Sequence, residues 1–233
     1  MYYYDKYSKY KNKYLELKTK YIQIGGMQLY INKLKEIFES HTVSPCHGIE
    51  HAKQVMEHAD KALQAKKYGI TVEEKEAVLL AALLHDADDN KFFETHLNNE
   101  NLRSVLDDKS PEFVELVVKI VNWVSSSKNG DNIPDETVGK EWLLVPRYAD
   151  RIEAIGIIGV DRCFTYTVNK GQPLFTDKTP RPKNIDELWA VASKDRYQSY
   201  SGKSASKIDH FYISKLFARV LIYNLLVDII EIA

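Results

Sequence analysis

Val78-Leu79-Leu80-Ala81-Ala82-Leu83-Leu84 runs directly into His85-Asp86. Seven apolar residues without a polar interruption are too few for a membrane span, which needs about 18, and they suit a helix buried on every side. The end of that helix sets an imidazole beside a carboxylate. Two such groups at depth are costly unless they are paired or hold a cation, because isolated charge is expensive in a low-dielectric interior. A metal ion would supply the partner, and further ligands should then arrive from other apolar helices. His51, in His47-Gly48-Ile49-Glu50-His51-Ala52, and Asp150, in Tyr148-Ala149-Asp150-Arg151-Ile152, are the two candidates.

Outward from this stretch the pattern is helical almost throughout. Apolar periodicity places helical segments at 27–40, 48–67, 71–86, 98–107, 111–127, 137–169, 185–199 and 206–231, with room for internal breaks, and no strand series is evident. The last segment carries Asn224, Asp228 and Glu231 as one narrow polar stripe, the mark of a mostly buried helix. Pro173, Pro180, Pro182 and Gly171 break the pattern, so 170–184 should be a long loop. Its Lys170, Lys178, Arg181 and Lys183 face only Asp177, which suits either a lid over an anionic substrate or a solvated connector.

The first 24 residues form a different module, with seven of the fifteen tyrosines and six lysines against only Asp5 and Glu16. Tyr3, Tyr7, Tyr10, Tyr14, Leu17, Tyr21 and Ile24 step by four and three, a heptad seam that Gly25-Gly26 ends. Residues 1–26 therefore read as a basic Tyr/Lys-rich helical arm and 27–233 as the main domain. The arm either dimerises or touches nucleic acid, or it packs on its own domain or frays; the second reading is favoured, because three heptads with tyrosine at the seam are marginal.

A chain of 233 residues, 44% hydrophobic and 28% charged, can bury a substantial core, which excludes a wholly disordered protein. With 32 basic against 33 acidic residues the net charge is -1, so no global field recruits nucleic acid or an anionic membrane. Nucleic acid is expected only through the arm. Two cysteines, Cys46 and Cys163, are too few for a disulfide framework and lack zinc-finger spacing; a loop thiol and a core thiol are expected in a reducing, cytoplasmic setting. The Met1-Tyr2-Tyr3-Tyr4 start has no apolar signal core, and no secretory peptide or membrane partner is expected.

At His51, His85-Asp86 and Asp150 the chain resembles the HD superfamily of metal-dependent phosphohydrolases, named for the adjacent His-Asp pair. The likeness is greatest to small bacterial-type HD hydrolases, some of which are nucleotide pyrophosphohydrolases, and it spans about residues 44 to 220. Leu83 to Phe92 resembles that group's His-Asp segment with its trailing acidic residues and lysine. Ala149 to Gly159 resembles its Asp-Arg-Leu-Asp-Ala-x-Gly-x-x-Gly stretch, and Asp209-His210-Phe211-Tyr212 with Lys215-Leu216 its C-terminal element. Tyr148 departs from the pattern, standing where relatives often have another aspartate.

The resemblance implies an all-α HD-domain helical bundle with an N-terminal helical appendage, and the metal ligands His51, His85, Asp86 and Asp150. Imidazole and carboxylate ligands suit one divalent ion with open positions, Mn²⁺ favoured and Mg²⁺, Fe²⁺ or Ni²⁺ as alternatives. Binuclear HD proteins bring extra histidines between the pair and the last aspartate; only His96 lies there. Asp89 is implied as the carboxylate for proton transfer, on the same face as Asp86 if the helix continues, with Asp88 as the alternative. Lys91 and Arg151 are implied at the phosphate, and His47, His210 and Lys215 at the substrate.

The expected function is hydrolysis of a nucleotide or related phosphorylated small molecule, foremost pyrophosphate release from a nucleoside triphosphate. A nucleoside monophosphate phosphatase and a non-catalytic HD-fold nucleotide-binding or scaffold protein are the alternatives, and a homo-oligomer is compatible with the arm. The run from Lys9 to Tyr21 also resembles a leader on proteins of giant DNA viruses, which implies host cytoplasm or a virion as the location.

Overall fold

The computed structural model describes residues 26–66, 68–93, 96–125, 132–154, 159–160, 162–164, 168, 171–193 and 204–212. The expected arm, Lys215 and residues 194–199 and 213–231 of the last two helical segments lie outside them; of 185–199 the described part is helical over Ile185–Val191. Among the described residues there is helix and no strand, so the all-α expectation holds. No described helix is long and apolar enough to cross a membrane.

The apolar run becomes the central helix. Helix α1 covers 26–40, α2 is Ile49–Ala65 and α3 is Val72–Leu84. Thr71 caps α3: its hydroxyl accepts from the Glu74 N–H while the Glu74 carboxylate accepts from the Thr71 N–H, a reciprocal capping box. From Ala77 to Leu84 every residue of α3 is buried, as a helix without a polar face must be. It packs on α2, on α5 (Pro111–Val124) and on α6 (Val145–Ile152). Ala52 and Ala59 of α2 and Ala77, Ala81 and Ala82 of α3 are all fully enclosed; their small side chains permit close packing of the helices that carry His51 and His85.

The outer helices follow the same logic. Met27, Tyr30, Leu34 and Phe38 recur at three and four along α1 and are buried, while Tyr30 donates to Asp108 at 2.8 Å and Lys33 to the Val105 carbonyl at 3.1 Å. These bonds tie α1 to the end of α4 (Glu100–Val105). Ser110 caps α5, with Pro111 in its first turn. Arg147 on α6, 1% exposed, donates to the Trp123 and Asn132 carbonyls and fastens α6 to the end of α5.

Three expectations need correction. The segment 71–86 ends its helix at Leu84, so His85 and Asp86 stand in a turn. The segment 98–107 yields a helix of only six residues, Glu100–Val105. The segment 137–169 breaks into short 3-10 turns at Asp135–Thr137 and Glu141–Leu144, then α6, then a turn at 153–154. Pro146 begins α6 because proline suits the first turn, where its missing N–H has no helical partner. The 171–182 stretch is loop as expected, and it is bonded to 204–208: Lys207 N–H donates to the Pro173 carbonyl, Ile208 N–H to Leu174, and the Thr179 and Ser206 hydroxyls meet at 2.9 Å.

Candidate metal centre

Three helices deliver the predicted ligands to one point. His51 lies in the first turn of α2, His85-Asp86 follows the last residue of α3, and Asp150 sits on α6. His51 Nε2 is 3.2 Å from His85 Nε2 and 3.3 Å from Asp150 Oδ1; His85 Nε2 is 3.6 Å from Asp150 Oδ1 and 3.3 Å from Asp86 Oδ2, which lies 3.9 Å from His51 Nε2. Donors held at about 2.1 Å around one ion stand about 3.0–3.4 Å apart in octahedral or tetrahedral geometry. His51, His85 and Asp150 come close to that spacing and suit a divalent metal in chemistry, with Asp86 slightly farther from His51. His51, His85 and Asp150 form one metal-capable group, and His47, Asp86 and Asp89 form a second.

The surroundings set the protonation of the ligands. His85 Nδ1 is 2.9 Å from the Ala82 carbonyl, which can only accept, so Nδ1 keeps its proton and Nε2 is the nitrogen turned to the cluster, free to coordinate once its own proton is displaced. His51 Nδ1 is buried with no partner among the described residues; its ring lies edge-on to His47 and His85. Without an ion, burial disfavours the charged form of His85, but the charges of Asp86 and Asp150 outweigh it and raise its pKa to about 9. Burial likewise works to raise Asp150, yet the hydrogen bond from His51 and the charge of His85 hold it down at about 2, and Asp86 is held well below the usual carboxylate range. Burial lowers His51. Two anionic carboxylates and two buried imidazoles in contact are the donor set a cation requires.

The other predicted residues divide. His47, in the 3-10 turn Pro45–His47, donates Nδ1–H to Asp86 Oδ2 at 2.7 Å, so it orients a ligand. Asp89 does come near Asp86, though through the turn that follows α3: its backbone N–H donates to the Asp86 carbonyl at 3.2 Å, and its carboxylate accepts from the Lys91 backbone and Nζ. Asp88 points elsewhere. Its two oxygens accept from the N–H groups of Asn101 and Leu102 at 2.9 Å each, serving the start of α4. Arg151 is buried. His210, half-buried, meets the Ser204 hydroxyl at 3.0 Å, and burial lowers its pKa. Cys163 is buried as expected, but Cys46 is a buried thiol of the 3-10 turn and not an open loop thiol.

Two residues near the cluster escaped the sequence reading. Arg162 Nη2 donates to the Cys46 carbonyl at 2.9 Å and reaches to 3.4 Å from His51 Nε2. Glu153, 1% exposed, pairs with His58 Nε2 at 2.7 Å and ties the turn after α6 to α2. The only local hint for Glu153 was its place three residues after Asp150; Arg162 offered none.

No protein-family model matches the chain. An uncharacterized protein of Acanthamoeba polyphaga mimivirus is 36% identical over 195 residues, which cover 77% of each chain. A solved protein of Lactobacillus plantarum superposes with a TM-score of 0.58 at 21% identity, over 83% of this chain and 82% of its own. An HD-superfamily hydrolase of Bacillus thuringiensis does so at 0.50 and 19% identity, over 88% and 96%. At those identities the likeness to the two bacterial structures is one of fold.

Proposed function

We propose that this chain, which belongs to one family with the mimivirus protein and to the HD superfamily by fold, is a metal-dependent phosphohydrolase. The observation that carries the reading is the convergence of His51, His85 and Asp150 within 3.2–3.6 Å where three helices meet, with Asp86 Oδ2 3.3 Å from His85 Nε2 and 3.9 Å from His51 Nε2. A divalent ion there, when bound, supplies the Lewis acidity that polarises a phosphoryl oxygen and acidifies water. The chain's own groups do the rest. Ala82 fixes the tautomer of His85, and His47 fixes the carboxylate of Asp86. Asp89, beside Asp86 in the same turn, is the carboxylate placed to take a proton from the attacking water, with Lys91 bonded to it. Water serves as the nucleophile, so no covalent intermediate is required.

Nucleoside triphosphates are the proposed substrates, cleaved to monophosphate and pyrophosphate; Mn²⁺ is the proposed ion. The small bacterial-type resemblance supports the substrate, and the mixed imidazole and carboxylate donors support the ion. A panel of nucleoside tri-, di- and monophosphates tested with Mn²⁺, Mg²⁺, Ni²⁺ and Zn²⁺, with products identified, decides between pyrophosphate release and the monophosphatase alternative. Failure to turn over any phosphate ester with any of these ions would overturn the reading.

A further inference from the structure

The guanidinium of Arg162 spends one bond on structure, to the Cys46 carbonyl, and otherwise turns toward the cluster. It lies on the segment after α6. Gly159 packs so closely on the Ala154 carbonyl that a Cβ there would collide with it, and the chain then brings Arg162 against the 3-10 turn that precedes α2. There Cys46 holds it from both sides: the Cys46 carbonyl accepts from Nη2 at 2.9 Å, and the Cys46 thiol approaches the Arg162 carbonyl at 3.8 Å. The clasp aims the guanidinium at His51 Nε2, 3.4 Å away, and its charge adds to the burial that keeps His51 neutral.

A fixed cation beside a metal-capable cluster is unfavourable unless an anion joins them. Asp86 and Asp150 balance a divalent ion, and Lys91 is paired with Asp89, so Arg162 leaves the centre with a net positive charge. Only Nη2 is engaged among the described residues, which leaves Nε and Nη1 as donors in the planar fork that matches phosphate oxygens. The exposed Lys91 is a poorer candidate, because its ammonium already has a carboxylate partner. We propose that Arg162 is the phosphate-binding cation of this centre, contacting an oxygen of the substrate's phosphoryl group next to the metal ligands. The inference rests on the phosphohydrolase reading and specifies how that site takes its anion.

The test uses inorganic phosphate as probe, titrated calorimetrically into the full chain, metal-free and loaded with Mn²⁺. The loaded wild type should bind phosphate, and Arg162→Gln should bind it about tenfold to a hundredfold more weakly, the range for losing a charged hydrogen bond. Bound Mn²⁺ and the melting temperature should stay unchanged; a merely structural arginine would move those and spare the phosphate affinity. Equal phosphate affinity in a folded, metal-loaded Arg162→Gln protein overturns the assignment of Arg162 alone, whereas a loaded wild type that binds no phosphate counts against the phosphohydrolase reading itself. Should the variant fail to fold, the wild type decides: phosphate should protect Arg162 from phenylglyoxal in a mass map of modified peptides, and identical modification with and without phosphate sinks the proposal.

Discussion

His85 owes its place to three atoms: the Ala82 carbonyl that takes its Nδ1 proton and the carboxylates of Asp86 and Asp150 that face Nε2. Because those carboxylates raise its pKa to about 9 in the metal-free protein, a metal must displace a proton from Nε2 below that pH. Mn²⁺ affinity should therefore rise with pH from 6.5 and level off above about 9, measured by the free Mn²⁺ signal in spin resonance; a flat profile would contradict the ligand role. The same shift fixes the sign for stability without metal. A folded pKa above the unfolded value near 6.5 means that charged His85 stabilises the fold fully below pH 6.5 and that this contribution is lost as pH rises through about 9. The melting temperature in chelator should fall across that window. Asp86→Ala should abolish metal content and phosphohydrolysis while helicity persists, since the core lies along α3 and not at its end. Asp88 gives the contrast: Asp88→Ala removes the acceptor for two N–H groups of α4 and should cost about 1–2 kcal/mol in urea unfolding, with metal content unchanged.

At the scale of the element, α3 decides the outcome. Leu80 is fully enclosed among α2, α5 and α6, and Leu80→Ala should cost about 2–5 kcal/mol in denaturant unfolding, as cavities of that size do. A loss below about 1 kcal/mol would mean that α3 is not the central packing surface. This helix was legible in the sequence because an uninterrupted apolar run admits few other readings, and the same run exposed the His85-Asp86 pair. Its end was not legible. The turn at 85–88 depends on bonds from Asp86, Asp88 and Asp89 to partners as far off as residue 102, and periodicity carries no such information. The stretch 137–169 was misjudged for a related reason: the apolar spacing of Trp142, Leu143 and Val145 fits a 3-10 turn buried against α5 as well as it fits an α-helix. His51 and Asp150 stand in helices of mixed polarity, and what singles them out in the sequence is the resemblance at these residues. Arg162 was hidden because its meaning comes from a contact with Cys46, 116 positions away.

At the scale of the whole molecule, α1 belongs to the core of the main domain. Met27, Tyr30, Leu34 and Phe38 belong to the same core as α3, and Lys33 and Tyr30 bond to the end of α4. The residues before Gly26 contribute no predicted ligand, and the seam of tyrosines there is an independent pattern. We propose that residues 27–233 form the catalytic domain and residues 1–26 a separate basic helical arm that the centre does not need. Removal of residues 1–25 should leave Mn²⁺ content, melting temperature and turnover of a small phosphorylated substrate within about twofold, and any change should show in sedimentation as a shift of oligomeric state. Removal of residues 1–38 should behave differently: it strips four buried side chains from the core, each with a large transfer and cavity cost, and should leave a protein that unfolds or aggregates. The single ion expected per chain belongs to the same comparison. His47 spends Nδ1–H on Asp86, so the second group, His47, Asp86 and Asp89, holds a ligand in place while one ion occupies the first. Elemental analysis of the 1–25 deletion should then give one Mn²⁺ per chain. A turnover loss beyond about tenfold at unchanged melting and metal content would mean that the arm reaches into the centre, because about 1.4 kcal/mol of transition-state stabilisation would then come from residues that carry none of the ligands.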